Sequence, residues 1–124
     1  MTVRRIGGWQ LPLPDRFQPV PGRDGEQFSD GVTIVYASEM RVSGQGKSPP
    51  PAAELHAVAR ERMAPEHELA NGRFGGARVD RTANGIRVVA SREATGSVLT
   101  LVADTSTDHV DEVLAIWRGA VFLA

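Results

Sequence analysis

Residues 78–102 limit the possible folds more than any other part of this chain, because two turn signals interrupt an alternating pattern without breaking it. Asn84-Gly85 is the strongest short-range signal for a β-hairpin, since both residues tolerate the positive φ that a tight turn demands. A two-residue turn there sets Ala83 opposite Ile86, Arg81 opposite Val88 and Val79 opposite Ala90. One face of the hairpin is then largely apolar. The other carries Arg78, Asp80, Thr82, Arg87 and Ser91, with Val89 among them. A second turn at Thr95-Gly96 adds a third strand, which puts Leu99 and Leu101 on the apolar face and Val98, Thr100 and Val102 on the mixed one. A slip of one residue would send every apolar side chain to the wrong face, so the unbroken alternation argues for a three-strand meander.

The flanking segments supply the rest of a small sheet. Trp9, Leu11 and Leu13 alternate with Gln10 and Pro12, as in a short strand near a sheet edge, where proline is tolerated. Residues 14–31 are rich in Pro, Gly, Asp and Gln and read as a loop, with Phe17, Val20 and Phe28 turned inward. Residues 32–42 predict a strand with Val32, Ile34, Tyr36 and Met40 on one face and Val35 and Ala37 on the other, a pattern suited to a strand covered on both sides. Residues 43–48 form a link. Pro51 suits a first helical position, where its missing N–H has no partner to lose. Leu55, Val58, Ala59 and Met63 then recur at helical spacing, and Pro65 ends the helix at Ala64. Asp108 is placed to cap a second helix, with Asp111 and Glu112 at its positive end and Val110, Val113, Leu114, Trp117 and Val121 as its apolar stripe. The expected architecture is α+β, a single domain over residues 1–124. It has an antiparallel sheet of about five strands and two helices in the order β-β-α-β-β-β-α; the mixed face stays open to a partner if both helices pack on the apolar one.

At 124 residues, with a hydrophobic fraction of 41%, the chain can build one core without staples. Basic and acidic residues number 14 and 15, a net charge of −1 that suggests neither nucleic acid nor an anionic membrane as a partner. No apolar run approaches the ~20 residues of a membrane span. Cysteine is absent, which excludes disulfides, thiolate metal sites and a cysteine nucleophile. Residues 1–5 lead into Gly7, Gly8 and Pro12 rather than an apolar stretch, so no signal peptide is read and a cytoplasmic location is expected.

Several strings resemble catalytic or ligand motifs and fail on inspection. Gly44-Gln45-Gly46-Lys47-Ser48 ends like a phosphate-binding loop, yet Arg41 stands where the first glycine belongs, and Pro49, Pro50 and Pro51 cannot start the required helix. His67-Glu68 opens like a zinc-protease motif, with Asn71 in place of the second histidine. His56, Glu61, Glu66 and His67 could cluster near the helix end, but such groups are usually solvated. Residues 104–108 have the spaced oxygens of a calcium loop, whereas His109 and Ala115 replace its glycine and its bidentate Glu. No Gly-x-Ser-x-Gly elbow exists, and Glu39 and Glu93 read as strand residues of which one or both face solvent. Trp9 and Trp117 read as core anchors. No catalytic residue, metal or cofactor is assigned.

Gly8-Trp9-Gln10-Leu11-Pro12, the glycine-containing meander, and the closing strand Leu99-Thr100-Leu101-Val102 with its Asp104-Thr105-Ser106 break and helix follow one another as in a known group of domains. In this order the chain resembles the PsbP-like superfamily, particularly its bacterial DcrB-like branch, which includes the Eag-type chaperones of type VI secretion. Arg118-Gly119 stands where those domains commonly carry a serine. The resemblance implies a binding or chaperone domain rather than an enzyme. The expected function is therefore non-catalytic binding of a protein or peptide, as a chaperone or adaptor for a secreted effector. The expected surface is the mixed sheet face of Arg78, Asp80, Arg87, Val89, Ser91, Val98, Thr100 and Val102. The alternative is a small enzyme or small-ligand-binding protein with a pocket under the loop of residues 14–31.

Overall fold

The computed structural model describes residues 1–21, 26–43 and 48–123. Residues 44–47, which hold most of the phosphate-loop-like string and of the link after the second predicted strand, lie outside the described residues. The chain is α+β and mostly strand. In order it forms β1 (Thr2–Ile6), β2 (Trp9–Leu13), β3 (Gln18–Pro19), β4 (Glu26–Ser29) and β5 (Ile34–Arg41). Helix α1 (Ala52–Met63) follows, then β6 (His67–Glu68), β7 (Phe74–Thr82), β8 (Gly85–Ala94) and β9 (Ser97–Thr105). A 3-10 turn at Thr107–His109 leads into α2 (Val110–Arg118) and β10 (Val121–Phe122).

The strands form two antiparallel sheets rather than one of about five strands. The larger has the order β3-β4-β5-β9-β8-β7-β6, and the smaller is β1-β2-β10. The additional strands are mostly very short. β3, β6 and β10 have two residues each, too few for an alternating pattern to announce them, and they exist because a longer neighbour offers them a ladder. The segment expected as loop thus contains β3 and β4, although Phe17 and Phe28 are buried as anticipated.

The meander forms with the predicted face assignment but a different first register. Thr82 pairs with Gly85, Arg81 with Ile86 and Val79 with Val88, so the turn residues are Ala83 and Asn84. Gly85 is the residue with positive φ, and the Thr82 hydroxyl accepts from the Asn84 N–H at 3.3 Å while donating to the Gly85 carbonyl at 3.2 Å. Those bonds fix the tighter end. The displacement is two residues, an even number, so no side chain changes face. The second turn is as predicted, with Ala94 opposite Ser97. Gly96 takes φ +70°, and a Cβ there would come within 2.7 Å of Pro49.

The core lies between the apolar face of the large sheet and a cover made of the small sheet and α2. Val35, Ala37, Val88, Ala90, Leu99 and Leu101 supply one side. Trp9, Leu11, Leu13, Val113, Leu114 and Trp117 supply the other, so both tryptophans are core residues. Ile116 joins them, while Val121, expected on the α2 stripe, belongs to β10 and is exposed. α2 begins two residues after Asp108, because 107–109 form the 3-10 turn first, and it stops at Gly119. Its C-terminal carbonyls are met by Arg92. The guanidinium donates to Ala120 O at 2.6 Å, Trp117 O at 3.1 Å and Arg118 O at 3.2 Å, and lies over the Trp9 ring. Burial pushes the Arg92 pKa down to about 10, helped by nearby Arg73, which leaves it charged at neutral pH.

The Glu39 side chain, in the same row of the sheet as Leu99 and Arg92, is largely buried, contrary to the expectation of an exposed strand carboxylate. It accepts from the Ser97 hydroxyl at 2.6 Å and the Gly8 N–H at 3.2 Å and pairs with Arg41 at 3.0 Å. Ser97 in turn accepts from the Trp9 indole N–H at 2.9 Å. The burial tends to raise the Glu39 pKa, and these donors together outweigh it and hold the carboxyl below its ordinary range.

The two helices do not share a face. α2 packs on the apolar side, whereas α1 crosses the mixed side over β7 and β8. The N-cap of α1 is Pro51 in extended geometry, so the helix starts one residue later than predicted, and Ala64 closes it in the left-handed region at φ 51°. Gly76 lets the end of α1 approach β7: a Cβ there would sit 3.0 Å from Pro65. Of all α1 residues, none is fully buried. No described helix is long and apolar enough to cross a membrane.

Candidate binding groove

The registers of β5, β9, β8 and β7 sort the mixed face into rows across the sheet. Met40, Val98, Glu93 and Phe74 form one row, then Ser38, Thr100, Ser91 and Gly76. Tyr36, Val102, Val89 and Arg78 form the third, and Ile34, Asp104, Arg87 and Asp80 the fourth. α1 runs above the β7 and β8 ends of these rows, from His56 over the first to Met63 near Gly76 and Arg78. The β5 and β9 ends stay open. Tyr36 is exposed, Met40 is 57% exposed, and Val98 and Val102 are half-buried. The prediction that β5 is covered on both sides therefore fails for this face.

Between α1 and the sheet lies a cavity of about 500 Å³. Leu55, Val58, Ala59 and Met63 form its roof, which is the stripe anticipated from helical spacing. Its floor is Val89, Ser91, Val98 and Thr100, and Met40 and Val42 border the open side. Arg62 and Arg78 stand at the end nearest the α1 C-terminus. The cavity volume lies in the range of small-molecule sites, ~300–1,000 Å³. None of its lining comes from residues 14–31, so the pocket anticipated under that loop is not this one.

The eight residues read from sequence as one open surface are divided by α1. Arg78, Val89 and Ser91 lie beneath or against the helix, so they are not the open docking surface that placing both helices on the far side required. Val98, Thr100 and Val102 remain beside it, with Thr100 exposed. Asp80 is occupied by Arg78, whose Nε lies 3.0 Å from the nearer carboxylate oxygen. Arg87 and Asp104 pair through two bonds of 2.7 and 3.0 Å, and the ion pair holds the Arg87 guanidinium above its ordinary pKa. Tyr36, Met40 and the α1 stripe complete the surface. Each is legible in the sequence as part of an apolar face, but the expected arrangement puts α1 on the opposite side of the sheet.

α1 is clasped at two points. Its Met63 carbonyl accepts a hydrogen bond from Arg78. Near its start, His56 Nδ1 meets Glu93 Oε1 at 2.5 Å and His56 Nε2 meets Glu68 Oε1 at 3.1 Å, with Arg60 also on Glu68 at 3.0 Å. The Glu93 side chain is 0% exposed and His56 14%, and the Phe74 ring lies 5.8 Å from the imidazole. Strand parity puts Glu93 on the mixed face as read from sequence, but α1 covers it and keeps it from water. The anticipated grouping of His56 with Glu61, Glu66 and His67 does not assemble; the partners of His56 are Glu68 and Glu93, so the imidazole bridges two carboxylates. Among the described residues no group of three His, Asp or Glu is arranged to hold a metal.

One further polar group bears on the cavity. Ser91 is 5% exposed and its hydroxyl has no hydrogen-bond partner among the described residues. Buried hydroxyls without partners are uncommon and call for a reason. A scan against protein-family models and a comparison with curated proteins each find no match for the chain.

Proposed function

We propose that this domain is a non-catalytic binding module that receives an apolar segment of a protein partner on the open half of the mixed face. The observation that carries the reading is the pair of apolar rows on β5 and β9, Met40 with Val98 and Tyr36 with Val102, left uncovered beside α1 with Ser38 and Thr100 between them. Large exposed apolar side chains gathered on one face of a small domain commonly mark an interaction site. A chaperone or adaptor role for a secreted effector fits such a surface, and the resemblance of the opening and closing segments to DcrB-like domains supports it.

The test is site-specific crosslinking in the source cell. A photoreactive residue at Met40 should capture a discrete partner, and one at Val3, exposed on β1 away from the strip, should not. Val102→Asp should abolish the Met40 adduct. Equal capture from both positions, or none from Met40, would overturn the reading.

A further inference from the structure

The cavity beneath α1 adjoins the open strip, sharing Met40 and Val98 with it, and has features the strip lacks. We infer that it is a binding site for an aliphatic carboxylate, an unbranched acyl chain with a free carboxyl head, in the class of medium-chain fatty acids. The inference does not require a protein partner on β5 and β9.

Backbone accounting comes first. Strands β8 and β9, which form the floor, are paired on both sides along their length, so the floor has no backbone groups to spare. A peptide threaded through this space would leave its own N–H and C=O groups unpaired. An acyl chain has none. The roof and floor are apolar over Leu55, Val58, Ala59, Val89 and Val98, and from Leu55 to Arg62 the groove follows α1 for about 10 Å at 1.5 Å per residue.

The polar groups mark where the head belongs. Ser91 and Arg78 are diagonal neighbours on β8 and β7, since Ser91 pairs with Gly76 and Arg78 with Val89. The Ser91 hydroxyl lacks a partner among the described residues and lines the cavity. Arg62 is exposed at the same end and makes no ion pair among the described residues. Arg78 already pairs with Asp80 and donates to Met63 O, so Arg62 provides the uncompensated charge. A carboxylate seated there accepts from Ser91 and faces Arg62, a charge-assisted arrangement stronger than a neutral head would make. Its tail then lies toward Val98, Met40 and Val42, where the lining carries no charge.

Isothermal titration and methyl NMR of the full chain with a series of carboxylates provide the test. Affinity should rise about three- to fourfold per added methylene from hexanoate to decanoate, as expected for burying each CH₂, and level off once the cavity is filled. Shifts should concentrate on Leu55, Val89 and Val98. Decanol should bind about tenfold more weakly than decanoate, Arg62→Glu should remove that difference, and Ser91→Ala should reduce it. No saturable binding, binding only above the micelle threshold, or methyl shifts that spare Leu55 and Val89 would overturn the site. Equal affinity for decanol and decanoate would overturn the head assignment. The titration uses the chain alone, so carboxylate binding without a captured partner, or capture without carboxylate binding, separates the two readings.

Discussion

Replacing His56 by alanine should detach α1 while leaving the sheet folded. Glu93 is fully buried, and His56 is its hydrogen-bond partner, with Glu93 Oε2 already unpaired among the described residues. Leaving a buried carboxyl group without its hydrogen-bond partner typically costs about 1–3 kcal/mol, and more where it is charged. Here that cost has an outlet. α1 buries no residue fully, and lifting it lets water reach Glu93 at the loss of a partly exposed apolar stripe and the Arg78 contact. The loss should therefore appear as local opening. Native-state hydrogen exchange should show α1 amides losing about 100-fold protection, close to 3 kcal/mol at about 1.4 kcal/mol per tenfold, with β8 and β9 amides unchanged. The double variant His56→Ala with Glu93→Leu should recover most of the protection, since it leaves no buried polar side chain without a partner. Uniform loss across α1 and the sheet, unchanged α1 protection, or a double variant as weak as the single one would refute this reasoning.

Two further outcomes follow from the core. Arg92→Met keeps the volume but removes the donor to three carbonyls at the end of α2, which should cost about 3 kcal/mol and lower the Tm by roughly 10 °C in calorimetry; a loss below about 0.5 kcal/mol would mean the carbonyls find other partners. Glu39 and Asp30 both have folded-state pKa values held below the ordinary carboxylate values of 4.5 and 3.8, in each case by donors that outweigh the raising effect of burial: Ser97, Gly8 and Arg41 for Glu39, and the Thr33 and Val32 amides with Arg16 for Asp30. The folded state thus binds fewer protons there, so this stability is present above the unfolded pKa values and is lost as pH falls through the lower folded ones. The urea midpoint should fall steadily below about pH 4.5, and Glu39→Gln should flatten that fall; a midpoint independent of pH in that range would contradict the assignment.

Parity along strands was fully legible in the sequence. Alternation from Arg78 to Val102 decided which side chains share a face, and even the two-residue change of register at the Ala83-Asn84 turn preserved that assignment. The amphipathic pattern around Trp117 likewise placed α2 against the core. What local pattern could not decide was the side on which α1 would lie, because the stripe of Leu55, Val58, Ala59 and Met63 is too weak to demand full burial and would serve on either face. That choice depends on where the chain re-enters the sheet through Pro65 and β6, a long-range matter settled by the whole packing. The burial of Glu93, the division of the mixed face and the cavity with Ser91 and Arg62 all follow from it. The two-residue strands β3, β6 and β10 are of the same kind, since each exists through a ladder lent by a neighbour rather than through any preference of its own residues.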